Sequence, residues 1–311
     1  MPLDPGAQAV LDLIKAVGRP PLDSLPPPEA RAAYAASRNV LQPPPQEVAE
    51  VRALRCDTVP LRLYRPAGST PGAVLPCLMY LHGGGWVIGD LESHDQLCRT
   101  LANYSGGCVV AVDYRLAPEH KFPAAVEDAA AALRYLVAEA AALGIDPARI
   151  AVGGDSAGGN LAAVLGLMAR DGAVPMPALQ MLLYPVTDMT RVQPSYQRIT
   201  EGYPLVAKTM GYFIEHYLRD GRDELDWRAS PLRAASLAGA PPGFVLTVGH
   251  DPLCDEGMRY AQRLDEEGGH VTHLHIADQM HGFLTMGRLI PAADTALRHA
   301  AAALAGAWAR G

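Results

Sequence analysis

Apolar and polar positions follow two rhythms along this chain. Ala9, Val10, Leu13, Ile14 and Val17 recur at helical spacing and predict a helix over 5–17. A second short helix is predicted over 29–38, between the clusters Pro26-Pro27-Pro28 and Pro43-Pro44-Pro45, with Pro28 near its start. From residue 48 the pattern alternates in the strand manner over 48–56 and 59–64, until Pro66, Gly68, Pro71 and Gly72 break it with a turn. Short apolar runs at 75–81, 108–112, 150–153, 179–184, 244–248 and 271–276 then read as buried strands. They alternate with helical stretches at 124–143, 160–170, 254–267 and 292–309. This order predicts an α/β fold: a mostly parallel central sheet with helices on both faces.

The alternation lapses between 187 and 242, where no strand is predicted. That stretch carries Tyr196, Tyr203, Tyr212, Phe213, Tyr217 and Trp227 around a helix expected at 206–218. An insertion between core strands sits above the sheet's carboxyl edge, where such sheets bind ligands. The expectation is therefore a body over 48–311, a helical cap segment over 1–47, and a second part of the cap over 188–242.

Composition narrows the function. The chain has 311 residues, enough for a full core, and a net charge of -7, which argues against nucleic acid as a partner. No basic stretch leads into an apolar one at the N-terminus, so no signal peptide is expected. Charges or prolines interrupt every apolar run before it could span a bilayer, so no membrane partner is expected. Cys56, Cys77, Cys98, Cys108 and Cys254 are scattered without a CxxC pair. Neither a zinc site nor a disulfide framework is indicated, and reduced thiols in the cytoplasm are the expectation.

The candidate chemistry centres on Gly154-Asp155-Ser156-Ala157-Gly158. A strand, a glycine-flanked turn and a helix make a nucleophile elbow, which projects the serine hydroxyl clear of the sheet. A serine needs a base, the base needs an orienting acid, and the developing oxyanion needs preorganised donors. His82-Gly83-Gly84-Gly85-Trp86, directly after a buried strand, suits the donor loop, with Gly83, Gly84 and Ala157 expected as the oxyanion hole. The loop does not read as a phosphate-binding one, because no G-x-G-x-x-G opens a helix there and no Walker lysine follows. Asp251 follows the strand at 244–248 directly and is the expected acid; Asp255 and Glu256 are rivals that begin the next helix. Of the ten histidines, His281 lies in a loop just past the last strand and is the expected base. His273 and His275 share a strand face, His270 lies at its edge, and His299 falls in the closing helix; no metal site is expected.

With these residues in place, the sequence resembles the bacterial branch of the hormone-sensitive lipase family of α/β-hydrolases, also called family IV esterases. The resemblance rests on His82 to Trp86, Asp113-Tyr114-Arg115-Leu116-Ala117-Pro118-Glu119, Phe122-Pro123-Ala124-Ala125, the elbow, Asp251-Pro252-Leu253 and His281-Gly282-Phe283. It implies an α/β-hydrolase fold and a cofactor-free carboxylesterase for short- to medium-chain esters. The implied triad is Ser156, Asp251 and His281. It further implies that His82 and residues 115–119 brace the oxyanion loop, and that a homodimer is one expected state. Cys254 stands where arginine is common, beside the site, so sensitivity to thiol reagents is expected. Tyr203, Leu205 and Phe213 are the expected walls of the substrate pocket. Two other readings use the same scaffold. A ligand receptor would lack the base, whereas His281 is present; an amidase or peptidase would cleave anilides matched to the esters.

Overall fold

The computed structural model describes residues 1–18 and 20–310. Helix α1 (Pro5–Val17) starts where Asp4 Oδ1 accepts from the amides of Gly6 and Ala7, and ends at Gly18 in the left-handed region. Helix α2 (Pro27–Leu41) follows. Strands β1 (Glu50–Cys56), β2 (Val59–Arg65) and β3 (Leu75–Leu81) come next, then α3 (Asp95–Ser105), β4 (Cys108–Val112), α4 (Ala124–Ala138) and the short α5 (Ala140–Leu143). Strand β5 (Ile145–Asp155) leads into α6 (Ala157–Arg170), then β6 (Gln180–Leu183), α7 (Pro194–Arg198) and α8 (Ala207–Tyr217). Strand β7 (Gly243–His250), α9 (Cys254–Glu266), β8 (Val271–Met280) and α10 (Ala292–Trp308) complete the chain.

The eight strands form one sheet in the order β1-β2-β4-β3-β5-β6-β7-β8. The β1-β2 and β2-β4 pairs are antiparallel, and from β4 onward every pair is parallel. Side chains of a strand alternate between faces, and each face has its own core. Cys77, Met79 and Leu81 of β3 and Val110 and Val112 of β4 join α4, α6 and α9 on one side. Leu78 and Tyr80 of β3 and Val109 and Ala111 of β4 meet α1, α3 and α10 on the other. The carboxyl ends are level, with Leu81 paired to both Val112 and Gly154, so His82, Asp113 and Ser156 emerge along one edge.

Several elements differ from expectation. Helix α3 was not expected; buried Gln96 and Thr100, bonded to each other at 3.0 Å, interrupt its apolar stripe of Leu97, Cys98, Leu101 and Ala102. Strand β5 begins at Ile145, five residues before the apolar run, because Asp146, Pro147 and Ala148 lie outside the core at its start. The long helix expected over 124–143 is divided at Glu139, and the short α5 then buries Ala140 and Leu143 before Gly144 turns into β5. Strand β8 runs on to Met280.

The 187–242 stretch carries α7 and α8 and meets the N-terminal helices above the carboxyl edge. Tyr212 donates to Leu25 O at 3.0 Å, and Lys208 Nζ lies 3.3 Å from Asp23 Oδ2. Among the described residues no helix is long and apolar enough to cross a membrane.

Candidate active site

Ser156 sits between β5 and α6 with φ 55° and ψ -116°. Holding a non-glycine residue there costs about 1–3 kcal/mol, so the surroundings must enforce it. Ser156 N donates to Leu183 O at 2.8 Å, while Ser156 O accepts from Asn160 N and Val186 N at 3.0 and 3.2 Å. The turn lies hard against β3. A methyl at Gly158 would stand 1.8 Å from Leu81 O, and one at Gly154 would stand 2.2 Å from the same atom.

Acid and base emerge from partnered positions, since His250 at the end of β7 pairs with Met280 at the end of β8. Asp251 and His281 are therefore the next residue on adjacent strands. A register irregularity at Gly249, where the backbone of Ala277 leaves no room for a side chain, re-aims the end of β7. β8 stands three strands from β5, about 14 Å at normal strand spacing. His281 must therefore reach back over the edge, and Gly282 at φ 78° makes that turn. His281 Nε2 lies 2.9 Å from Ser156 Oγ and its Nδ1 lies 2.7 Å from Asp251 Oδ2. Asp251 is fully buried, with its other oxygen accepting from Leu253 N at 2.8 Å, and the imidazole packs on the Tyr184 ring at 4.8 Å. A hydroxyl bonded to an imidazole that a carboxylate orients can lose its proton as it attacks an electrophile.

The rival acids are occupied elsewhere. Asp255 accepts from Ser195 N at 2.8 Å. Glu256 is fully buried on α9, and its Oε1 accepts from the amides of Thr187 and Asp188. Burial raises its carboxyl well above the usual carboxylate range, and its hydrogen bonds with those two amides tie α9 to the loop after β6. His273 Nε2 and His275 Nδ1 both approach Thr247 Oγ1, at 2.8 and 2.9 Å, and no third metal-binding side chain joins them among the described residues. His299 is exposed.

The donor loop departs from expectation at Gly83. Its N–H donates to Asp155 Oδ1 at 2.9 Å, inside the protein, and is not presented to a substrate. Among the described residues the amides of Gly84 and Gly85 donate to no protein group, and Ala157 N–H opens α6 without an intrahelical partner. The available donors thus shift one residue along, to Gly84, Gly85 and Ala157. Three identical glycines give no hint of this in the sequence; only the acceptor, Asp155, distinguishes them.

Asp155 is the residue that sequence reasoning passed over. Its Oδ1 also accepts from Tyr80 Oη at 2.7 Å, and His94 Nε2 lies 3.1 Å away. Burial alone would raise the Asp155 carboxyl, but His94 and Tyr80 outweigh it and hold the group at about 2. His82 stacks on Tyr114 at 4.3 Å, and its Nδ1 donates to Gly83 O at 2.7 Å. Burial, reinforced by His94, lowers the His82 imidazole to about 4, so it is neutral near pH 7. Both residues hold the loop from below.

Of the expected pocket residues, Leu205 and Phe213 are buried in the cluster that contains Trp86 and Ala157. The Phe213 ring covers Gly85 so closely that a methyl there would meet it at 2.2 Å. Tyr203 lies on the acid side instead, with its hydroxyl 2.7 Å from His250 Nδ1. Cys254 is buried; burial and then Asp251 push its thiol up to about 12, contrary to the expected reactivity.

Residues 78–285 match a family model described as an alpha/beta hydrolase fold. The chain is 41% identical over 308 residues to an ethyl acetate hydrolase of Pseudomonas putida, covering 96% of each. Among solved structures it is similar to an ester hydrolase from the metagenome of Lake Arreo, Spain, in complex with a derivative of bipyridine phosphonate, with 44% identity, TM-score 0.93 and 98% of each chain covered. It is also similar to a hyperthermophilic esterase from Pyrobaculum calidifontis, with 37% identity, TM-score 0.91, and 98% and 99% covered. This chain belongs to the α/β-hydrolase fold family, in its hormone-sensitive-lipase-like branch.

Proposed function

We propose that the chain is a carboxylesterase that hydrolyses short- to medium-chain esters through an acyl-enzyme intermediate. The observation that carries this reading is the continuous hydrogen-bonded line from Asp251 through His281 to Ser156 Oγ, with spans of 2.7 and 2.9 Å. His281 takes the proton as Ser156 attacks the ester carbonyl, and Asp251 holds the imidazole tautomer and stabilises the imidazolium. The amides of Gly84, Gly85 and Ala157 receive the oxyanion. The alcohol leaves with the proton from His281, and water then attacks the acyl-enzyme by the same route. Side chains, backbone amides and water suffice for every step.

Residues 1–47 and 188–242 form the two parts of a cap over a catalytic domain, 48–311. Leu205 and Phe213 wall the acyl side, and Tyr203 flanks the acid. The fit of relatives named ethyl acetate hydrolase and esterase supports a small ester as substrate.

The test is the initial rate on p-nitrophenyl esters of increasing acyl length, for the wild type and Ser156→Ala. Rates should peak at short chains, and the variant should lose on the order of 10⁴-fold or more. A variant that kept most of the activity would remove Ser156 as the nucleophile.

A further inference from the structure

Building on the ester-hydrolysis reading, we propose that Arg31 is a positioning residue for the reaction, fixing the N-terminal cap helix to the oxyanion loop so that cap seating and oxyanion-hole geometry are set together.

Arg31 lies on α2 and reaches the loop backbone directly. Its Nε donates to Val87 O at 2.7 Å and its Nη2 to Ala117 O at 2.8 Å. Nη1 and Nη2 also grip Glu119 at 2.8 and 2.6 Å. Both carbonyls belong to residues that themselves hold the donor loop. Val87 N donates to Gly84 O at 3.1 Å, and Ala117 N donates to Trp86 O at 2.8 Å. One guanidinium thus clamps the outer side of the turn whose inner side presents Gly84 and Gly85. A planar fork can serve two carbonyls and a carboxylate at once; an ammonium cannot match that geometry.

The same segment holds the second part of the cap. Lys121 Nζ donates to Glu215 O and Leu218 O at 2.9 and 2.6 Å, and Phe122 N donates to Tyr217 O at 2.8 Å. Trp86 of the loop stacks on Tyr217 at 4.3 Å. With Arg31 removed, the loop keeps its contact with α8 and its apolar packing on Ala30 and Tyr34, and loses the hydrogen bonds that Arg31 supplies. The Arg31 and Glu119 side chains are 30% and 51% exposed. A pair that exposed contributes little to stability. The bonds to the carbonyls of Val87 and Ala117, both buried residues, do contribute to stability, so the positioning role is read from kcat per titrated active site rather than from melting temperature.

The experiment uses the full chain as Arg31→Ala and Arg31→Lys, assayed on a short p-nitrophenyl ester with active sites counted by a phosphonate titrant. Arg31→Ala should lose about ten- to a hundredfold in kcat per titrated active site, below the full loss of an oxyanion donor, while KM changes little and the protein stays folded at the assay temperature. Guanidinium ion at low millimolar concentration should restore part of the rate. Arg31→Lys should fold and still show reduced kcat. Unchanged kcat in Arg31→Ala, or a loss matched by the loss of titratable sites, would overturn the proposal. If Arg31→Ala does not fold, Arg31→Lys decides: full kcat overturns the proposal and a lowered kcat supports it. A wild type inert on every ester would sink the ester-hydrolysis reading itself and this proposal with it, whereas an active wild type with indifferent variants would sink this proposal alone.

Discussion

Beneath the oxyanion loop two titratable side chains are both held deprotonated, one neutral and one ionised, and this fixes how acid acts on the protein. His82 is neutral in the fold, with its imidazole lowered from 6.5 to about 4. Asp155 is ionised, with its carboxyl lowered from 3.8 to about 2. In both cases the unfolded chain binds a proton more readily than the folded one, so acid favours unfolding. The His82 contribution is whole above about pH 6.5 and disappears towards pH 4. The Asp155 contribution is whole above about pH 3.8 and disappears towards pH 2. Melting temperature followed by circular dichroism should therefore fall in two steps. His82→Gln should flatten the upper step and Asp155→Asn the lower; an upper step left intact in His82→Gln would assign it to another group. At this scale the sequence singled out Ser156, Asp251 and His281, which the fold brings within hydrogen-bond distance of one another, because each follows a strand end. Asp155 and His94 stayed hidden, because nothing in the elbow motif says that the aspartate faces back under the loop.

Elements succeed or fail here by how closely backbones approach. The elbow exists because β3 and α6 touch at Leu81 and Gly158, where a methyl would stand 1.8 Å from a carbonyl oxygen and 2.5 Å from its carbon. Backbone atoms of a central strand cannot give way. Gly158→Ala should cost on the order of 3 kcal/mol or more, read from the denaturant midpoint. Gly306→Ala is the control: it lies in α10 with nothing within 4 Å, and should be neutral or stabilising by up to about 1 kcal/mol. If both variants behaved alike, the close contact would not be what requires glycine. Strand and helix identities were legible wherever the apolar rhythm was clean, as in β3, β4 and β7. Legibility failed at α3, whose buried polar pair breaks the stripe, and at the start of β5, where Pro147 reads as a turn.

Across the whole molecule the five cysteines are buried and none is paired, with Cys56, Cys77 and Cys108 in one core, Cys98 in the other and Cys254 at the start of α9. Burial raises the thiols of Cys77 and Cys98 well above normal, and puts Cys108 at about 11 and Cys254 at about 12. Thiolate is the reactive form. The native protein should keep its activity in excess iodoacetamide, and a chromogenic thiol reagent should register its thiols only as the protein unfolds. Fast reaction of Cys254 in native protein would contradict its placement. The proposed cap was the least legible part of the sequence, since its two segments join through side chains far apart in the chain. Residues 113–122 are where those joins meet: Arg31 arrives from α2, the backbone at the end of α8 from the 188–242 stretch, and Trp86 O from the donor loop. A chimera that borrows its cap from a relative must therefore inherit Arg31, the end of α8 and this segment from one parent. A graft that divides them would carry a foreign pocket over a mismatched catalytic floor.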